Sequence, residues 1–224
     1  MRLQSPGDNL QFVAEVSRHS VPFETLVPAE GEGTALPMSH PFNLDALATL
    51  AYDLLIRHQQ VLVTAESCTA GLIAATLSRV PGMSQCLAGA QVVYQSASKT
   101  AWLDVPAELI DRHGDVSREV ATAMATHALA KTPHATIAIS ITGHLGPDAP
   151  AELDGIAWLG CATRQNDSEA ILLVLKSNLT TEDCRSSGAG AKESERSVII
   201  RHARQQDAVI QALAILCDRL AEMG

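Results

Sequence analysis

The chain has 224 residues, of which 46% are apolar but only 3% aromatic, and a formal net charge of −9. That length allows one large domain or two small ones, with a core built mainly from Ala, Leu, Val and Ile. The acidic balance argues against nucleic acid or an anionic membrane as the main partner, because both select Lys/Arg patches, but it leaves room for a local basic pocket that takes a small phosphorylated molecule. Cys68, Cys86, Cys161, Cys184 and Cys217 are odd in number and widely spaced, with no CxxC pair. Neither a disulfide framework nor a zinc site is expected, and a reducing cytoplasm fits best. No apolar run reaches the roughly 18 residues that span a bilayer. The first residues, MRLQSPGDNLQ, lack the apolar stretch of a secretory signal.

Residues 1–42 carry half of the ten prolines and little periodicity, so they read as an extension to a domain covering 43–224. Asn43 is a plausible cap for a helix over 43–58, in which Leu44, Leu47, Ala48, Ala51, Leu54 and Leu55 form one apolar face. Val61-Leu62-Val63 is a short buried strand. Glu66-Ser67-Cys68-Thr69 follows it, and a helix pattern runs over 69–79. This grammar of strand, sharp turn and helix places Ser67, Cys68 and Thr69 at a helix N-terminus. Unpaired N–H groups there could bind an anion or an oxyanion, or Ser67 or Thr69 could simply cap the helix.

Pro81-Gly82 breaks the chain before a strand over 88–95. Two short helices follow, over 96–102 and 106–112. His113-Gly114-Asp115 is a turn, and Ser117 caps a strong helix to Lys131. The Ile- and Ala-rich run over 135–142 suits a strand buried on both faces, and it ends in a glycine-containing loop, Thr142-Gly143-His144-Leu145-Gly146. Strands over 155–163 and 170–175, with Asn166-Asp167 between them, predict a hairpin. Residues 178–194 read as a polar loop and 195–222 as a closing helix. The fold expected is α/β: one three-layer α/β/α sandwich on a mixed, mostly parallel sheet.

Ligands of open α/β sheets sit at strand ends. Ser67, Tyr94 and the Thr142-Gly143 loop lie at such ends, with Lys99 five residues past Tyr94. A serine hydroxyl needs a base, and a lysine serves if burial lowers its pKa. Whether these residues converge is beyond periodicity, and the pattern alone favours a solvated surface Lys99.

Several ordered motifs together resemble the CinA C-terminal domain family. Glu66-Ser67-Cys68-Thr69-Ala70-Gly71 is similar to its ESCTGG motif, and Val80-Pro81-Gly82-Met83-Ser84 to its V-P-G-x-S element. The strand ending at Tyr94, Lys99, and the His113-Gly114-Asp115-Val116-Ser117 run (family H-G-x-V-S) continue the match. The resemblance implies an amidohydrolase, a nicotinamide-nucleotide amidase that converts nicotinamide mononucleotide to nicotinic acid mononucleotide and ammonia. It implies Ser67 as nucleophile, Lys99 as base and Tyr94 as an assisting hydroxyl. Substrate contacts are expected from Glu66, Cys68, Thr69, Gly71, Thr142, Gly143, His144 and Arg201. Neither a cofactor nor a metal is implied, the partner is a small nucleotide, and a homo-oligomer is expected.

Two departures matter. Ala70 stands where the family has glycine. Thr142-Gly143-His144-Leu145-Gly146-Pro147-Asp148-Ala149 replaces T-G-I-A-G-P-G-G. The competing readings are a binding or regulatory module without turnover and a thiol enzyme using Cys68. A GxSxG hydrolase is excluded, since Ala65 and Thr69 fill the glycine positions.

Overall fold

A computed structural model of the chain describes residues 44–146, 149–150, 152–165, 168–175 and 193–223. The extension over 1–42, the Asn166-Asp167 turn and most of the expected polar loop after Asn178 lie outside the described residues.

Helix α1, Leu44–Arg57, buries Leu47, Ala48, Leu50, Ala51, Leu54 and Leu55 on one face, as its periodicity requires. It stops in a Schellman-type turn: Gln59 N–H donates to Ile56 O, and Gln60 N–H donates to Leu55 O at 2.8 Å. Gln59 takes the left-handed conformation, φ 53°, that this turn demands. Strand β1, Leu62–Glu66, follows and is buried along its whole length. Helix α2 is Leu72–Leu77 and strand β2 is Leu87–Val92.

Helix α3, Ser96–Leu103, helix α4, Ala107–His113, and helix α5, Arg118–Lys131, run in sequence to strand β3, Ile137–Gly143. The Ser117 side chain accepts from Val120 N–H and so caps α5. The hairpin expectation holds for its strands: β4, Ile156–Thr163, and β5, Ser168–Val174, pair antiparallel. Helix α6, Glu193–Ala221, closes the chain.

The sheet order is β2-β1-β3-β4-β5. β1 is parallel to both β2 and β3, while β4 is antiparallel to β3 and to β5. The reversal at β4 makes the sheet mixed, and β1 and β3 sit inside it with both faces covered. On one face Val63, Ala65, Ala138 and Ala162 meet Leu103, Val120, Met124 and Ala128. The helix α5 comes close enough there for Ser140 Oγ to donate to Ala121 O at 2.6 Å. A Cβ at Gly160 would collide with that same carbonyl, so this position needs glycine. On the other face Leu62, Ile137, Ile139 and Ile141 are buried. α1 packs against α2 and α6 there.

Candidate active site

The parallel strands β1, β2 and β3 end at one edge of the sheet, and the residues just past those ends build the site. Ser67 extends β1 by one residue, its N–H donating to Ile141 O at 2.9 Å. The chain then turns sharply: Ala70 N–H returns to Ser67 O at 3.0 Å, and Ala70 and Gly71 both have positive φ, 52° and 94°. This turn carries a correction. α2 begins at Leu72, three residues later than its pattern suggested, because two consecutive left-handed residues cannot continue a helix.

The first-turn amides of α2 are not free for an oxyanion either. Ile73 and Ala74 N–H donate to the Glu66 carboxylate at 3.0 and 2.9 Å, and the Thr69 and Thr64 hydroxyls donate to it at 2.7 and 3.2 Å. Glu66 is wholly buried. A buried carboxylate needs such donors, and the positive end of the helix suits its charge. Glu66, Thr69 and Gly71 therefore lie behind the turn, with no place in the wall of the cavity described next.

That cavity has a volume of about 350 Å³. It brings together eight of the expected residues: Ser67, Cys68, Tyr94, Lys99, Thr142, Gly143, His144 and Arg201. It also includes Asp115, Val116, Leu145 and Pro150, which the sequence did not single out for a role. A larger cavity of about 630 Å³ at the opposite end of the sheet, beside Cys161, Thr163 and Arg219, contains none of the candidate residues.

Lys99 is buried, with 2% of its side chain exposed. Its Nζ donates to Asp115 Oδ1 at 3.0 Å, Asp115 O at 3.3 Å and Thr142 Oγ1 at 3.4 Å. An ammonium has three donors, and all three are used. Thr142 Oγ1 in turn donates to Asp115 O at 2.8 Å, and Ser96 Oγ to Asp115 Oδ2 at 2.6 Å. Burial pushes the Asp115 carboxyl up. The hydrogen bonds from Ser96 and Lys99, with the charges of Lys99 and His144, outweigh it and hold the group below its ordinary value. Asp115 was missed because it sits in a turn and occupies the position that the H-G-x-V-S pattern leaves open.

Among the described residues, no hydrogen bond links the Ser67 hydroxyl to Lys99. The neighbouring Cys68 thiol is pushed up to about 12, chiefly by burial, so it is no thiolate at neutral pH. Tyr94 is half exposed and its hydroxyl accepts from Arg201 Nη2. Arg201 Nη1 donates to Gly146 O at 3.1 Å. Among the described residues no cluster of His, Cys, Asp and Glu could hold a metal ion.

This arrangement coincides with a known domain. Residues 44–189 match the family model of the CinA C-terminal domain. The chain belongs to that family. A CinA-like protein of Myxococcus xanthus is 36% identical over 163 residues, covering 72% of this chain and 38% of its own length. One from Parasynechococcus marenigrum is 36% identical over 197 residues, covering 87% and 42%. The chain thus spans about two fifths of the length of these curated relatives. Among solved structures, a competence-damaged protein (CinA) superfamily protein of Klebsiella pneumoniae superposes with a TM-score of 0.67 at 26% identity, over 81% of this chain and 99% of that one. A competence/damage inducible protein of Agrobacterium tumefaciens gives a TM-score of 0.57 at 27% identity, over 78% and 99%. In this CinA domain Ser67, Cys68, Tyr94, Lys99 and Val116 of the motifs meet at the cavity, whereas Val80–Ser84 adds nothing to its wall.

Proposed function

We propose that this chain is a serine amidohydrolase that hydrolyses the carboxamide of nicotinamide mononucleotide to nicotinic acid mononucleotide and ammonia. One observation carries the reading: the Ser67 hydroxyl and the buried Lys99 amine share a cavity with the Arg201 guanidinium. Its volume falls at the lower end of the roughly 300–1,000 Å³ usual for small-molecule sites. Ser67 Oγ attacks the carboxamide carbon, and its proton passes to Lys99. The tetrahedral adduct collapses, and the departing nitrogen takes that proton and leaves as ammonia. Water then attacks the Ser67 ester, loses its proton to Lys99, and frees the acid as the serine is reprotonated. Lys99 can act in this way only as the neutral amine: its ammonium first gives up one proton to solvent, and the freed lone pair turns from Asp115 or Thr142 to the Ser67 hydroxyl. The oxyanion falls to the amide of Cys68, the residue after the nucleophile, since the α2 amides serve Glu66. Arg201 and the Gly143–Gly146 backbone meet the phosphate, with His144 beside them.

A second reading has its own observation. All three Lys99 donors are engaged and none is on Ser67, which suits a site that binds a ligand without turning it over. Ammonia release from nicotinamide mononucleotide by the purified chain separates the two. Steady release supports the amidase, whereas binding of the nucleotide without release supports the binding module. The family resemblance extends the proposal to a homo-oligomer, which sedimentation of the purified chain measures, and the widely spaced cysteines extend it to a reducing cytoplasm.

A further inference from the structure

One face of α6 holds both walls of the cavity. Arg201, Arg204 and Gln205 stand at i, i+3 and i+4, so their side chains share that face. Gln205 Nε2 donates to Cys68 O at 3.1 Å, which ties down the turn carrying Ser67. Arg204 Nη1 donates to Leu145 O at 3.2 Å, and its guanidinium clamps Asp154 through two bonds of 2.6 and 2.7 Å. Arg201 holds the next carbonyl, that of Gly146. Gly146 itself takes φ 64°, and a Cβ there would collide with Arg204 Nη1 and Asp154 Oδ1. The loop is pressed directly against the clamp. Neither Arg204 nor Gln205 lines the cavity.

We propose that Arg204 and Gln205 are positioning residues: α6 sets the distance between the Ser67 turn and the Gly143–Gly146 loop by gripping one carbonyl in each. The inference rests on Ser67 being the reacting group of the proposed amidase. A peptide unit is planar, so fixing the Cys68 carbonyl also fixes the Thr69 amide on its far side. The next peptide back is fixed by the Ala70 N–H bond to Ser67 O. Together the two bonds fix the peptides on either side of Cys68, and with the Ser67 N–H held by Ile141 O they leave the turn that aims the Ser67 hydroxyl a single orientation.

The test uses the whole chain and reads Ser67 itself. A fluorophosphonate phosphonylates Ser67 with loss of fluoride, and intact mass follows the rate without reference to the natural substrate. Gln205→Leu keeps the side-chain bulk and removes the donor. It is expected to slow labelling about fivefold, the order of one lost hydrogen bond, while the melting temperature stays close to wild type. Gln205→Lys, which restores an N–H donor of similar reach, is expected to recover most of the rate, a result that a packing role does not produce. If wild type takes the label and Gln205→Leu takes it equally fast, or if Gln205→Lys is as slow as Gln205→Leu, the positioning role is overturned and the Ser67 reading stands. If wild type takes no label on Ser67, both fall. Should Gln205→Leu fail to fold, Arg204→Lys is measured in its place. It keeps one donor for Leu145 O and loses the two-pronged grip on Asp154. Its prediction is weaker retention of inorganic phosphate with labelling of Ser67 near wild type, and unchanged phosphate binding overturns the proposal.

Discussion

Lys99 Nζ lies 3.0 Å from Asp115 Oδ1, yet the two ends of this ion pair differ in environment: 2% of the lysine side chain is exposed and 41% of the aspartate. The cation is inside and its partner is at the cavity wall. Removing Asp115 strands a buried charge, whereas removing Lys99 leaves a carboxylate that water can reach. Asp115→Asn is therefore expected to destabilise the fold by about 1–3 kcal/mol, below the cost of breaking a fully buried pair because solvent screens the aspartate. Lys99→Met added to Asp115→Asn is expected to restore part of that loss. Urea unfolding of the two single variants and the double variant measures the coupling.

The same pair fixes a pH dependence. The Asp115 carboxyl is held below its ordinary 3.8 in the folded chain. A depressed folded value means the contribution is present above the unfolded value and is lost as pH falls through the folded one. The stability difference between wild type and Asp115→Asn should be level from neutral pH down to about 4 and shrink below that, as urea midpoints across an acid series would show. A difference that vanishes already at pH 6 would mean another group carries it.

The thiols give the opposite, alkaline signature. Burial raises Cys68 and Cys217 to about 12 and Cys161 to about 11 from 9.0. Raised folded values leave stability intact below the unfolded value and lose it as pH rises beyond. The chain should weaken between about pH 9 and 12. At pH 8 these three residues should resist iodoacetamide in the native chain and react in urea, as peptide mapping would show. Native alkylation of Cys68 at pH 8 would revive the thiol-enzyme reading.

Among the described residues three other than glycine take left-handed backbone: Gln59 at φ 53°, Ala70 at φ 52° and Asp104 at φ 57°. Left-handed backbone costs an L-residue roughly 1–2 kcal/mol, partly offset by glycine's larger unfolded-state entropy. Ala70→Gly and Gln59→Gly should each stabilise by about 0.5–1 kcal/mol. Ala70 is exposed, so no packing is lost there. A fall in melting temperature for Ala70→Gly would refute the assignment of strain.

Glu66 accepts four hydrogen bonds, one from Thr64 in its own strand and three, from Thr69, Ile73 and Ala74, that hold the Ser67 turn to α2. Glu66→Ala leaves buried amides unpaired and is expected to cost about 3–5 kcal/mol, with Glu66→Gln costing less because one acceptor oxygen survives. Chemical denaturation ranks them, and equal costs would argue against the carboxylate's acceptor role.

The parts of this molecule that sequence reveals are those set by local pattern. The apolar face of α1, the Ile-rich β3 and the Ser117 cap each follow from neighbours within a few residues. The β4–β5 hairpin was legible for the same reason. What escaped depends on contacts distant in sequence. Asp115 looked like a turn residue because its partner, Lys99, lies 16 positions away and meets it only once α3 and α5 pack on the sheet. Glu66 looked like a substrate contact because its motif places it beside Ser67. The strand's alternation turns Glu66 to the opposite face, where the amides of α2 wait. The grip of Gln205 on Cys68 spans 137 positions, and nothing in the composition of α6 marks it.

The central claim is that Ser67, and not the thiol beside it, attacks the carboxamide. Ammonia release from nicotinamide mononucleotide by Ser67→Ala and Cys68→Ala tests it most directly. Loss of a serine nucleophile should lower kcat/KM by about 10³-fold or more. Cys68→Ala, which removes a small buried hydrophobe, should stay within about tenfold of wild type. Full activity in Ser67→Ala with activity abolished in Cys68→Ala would contradict the account.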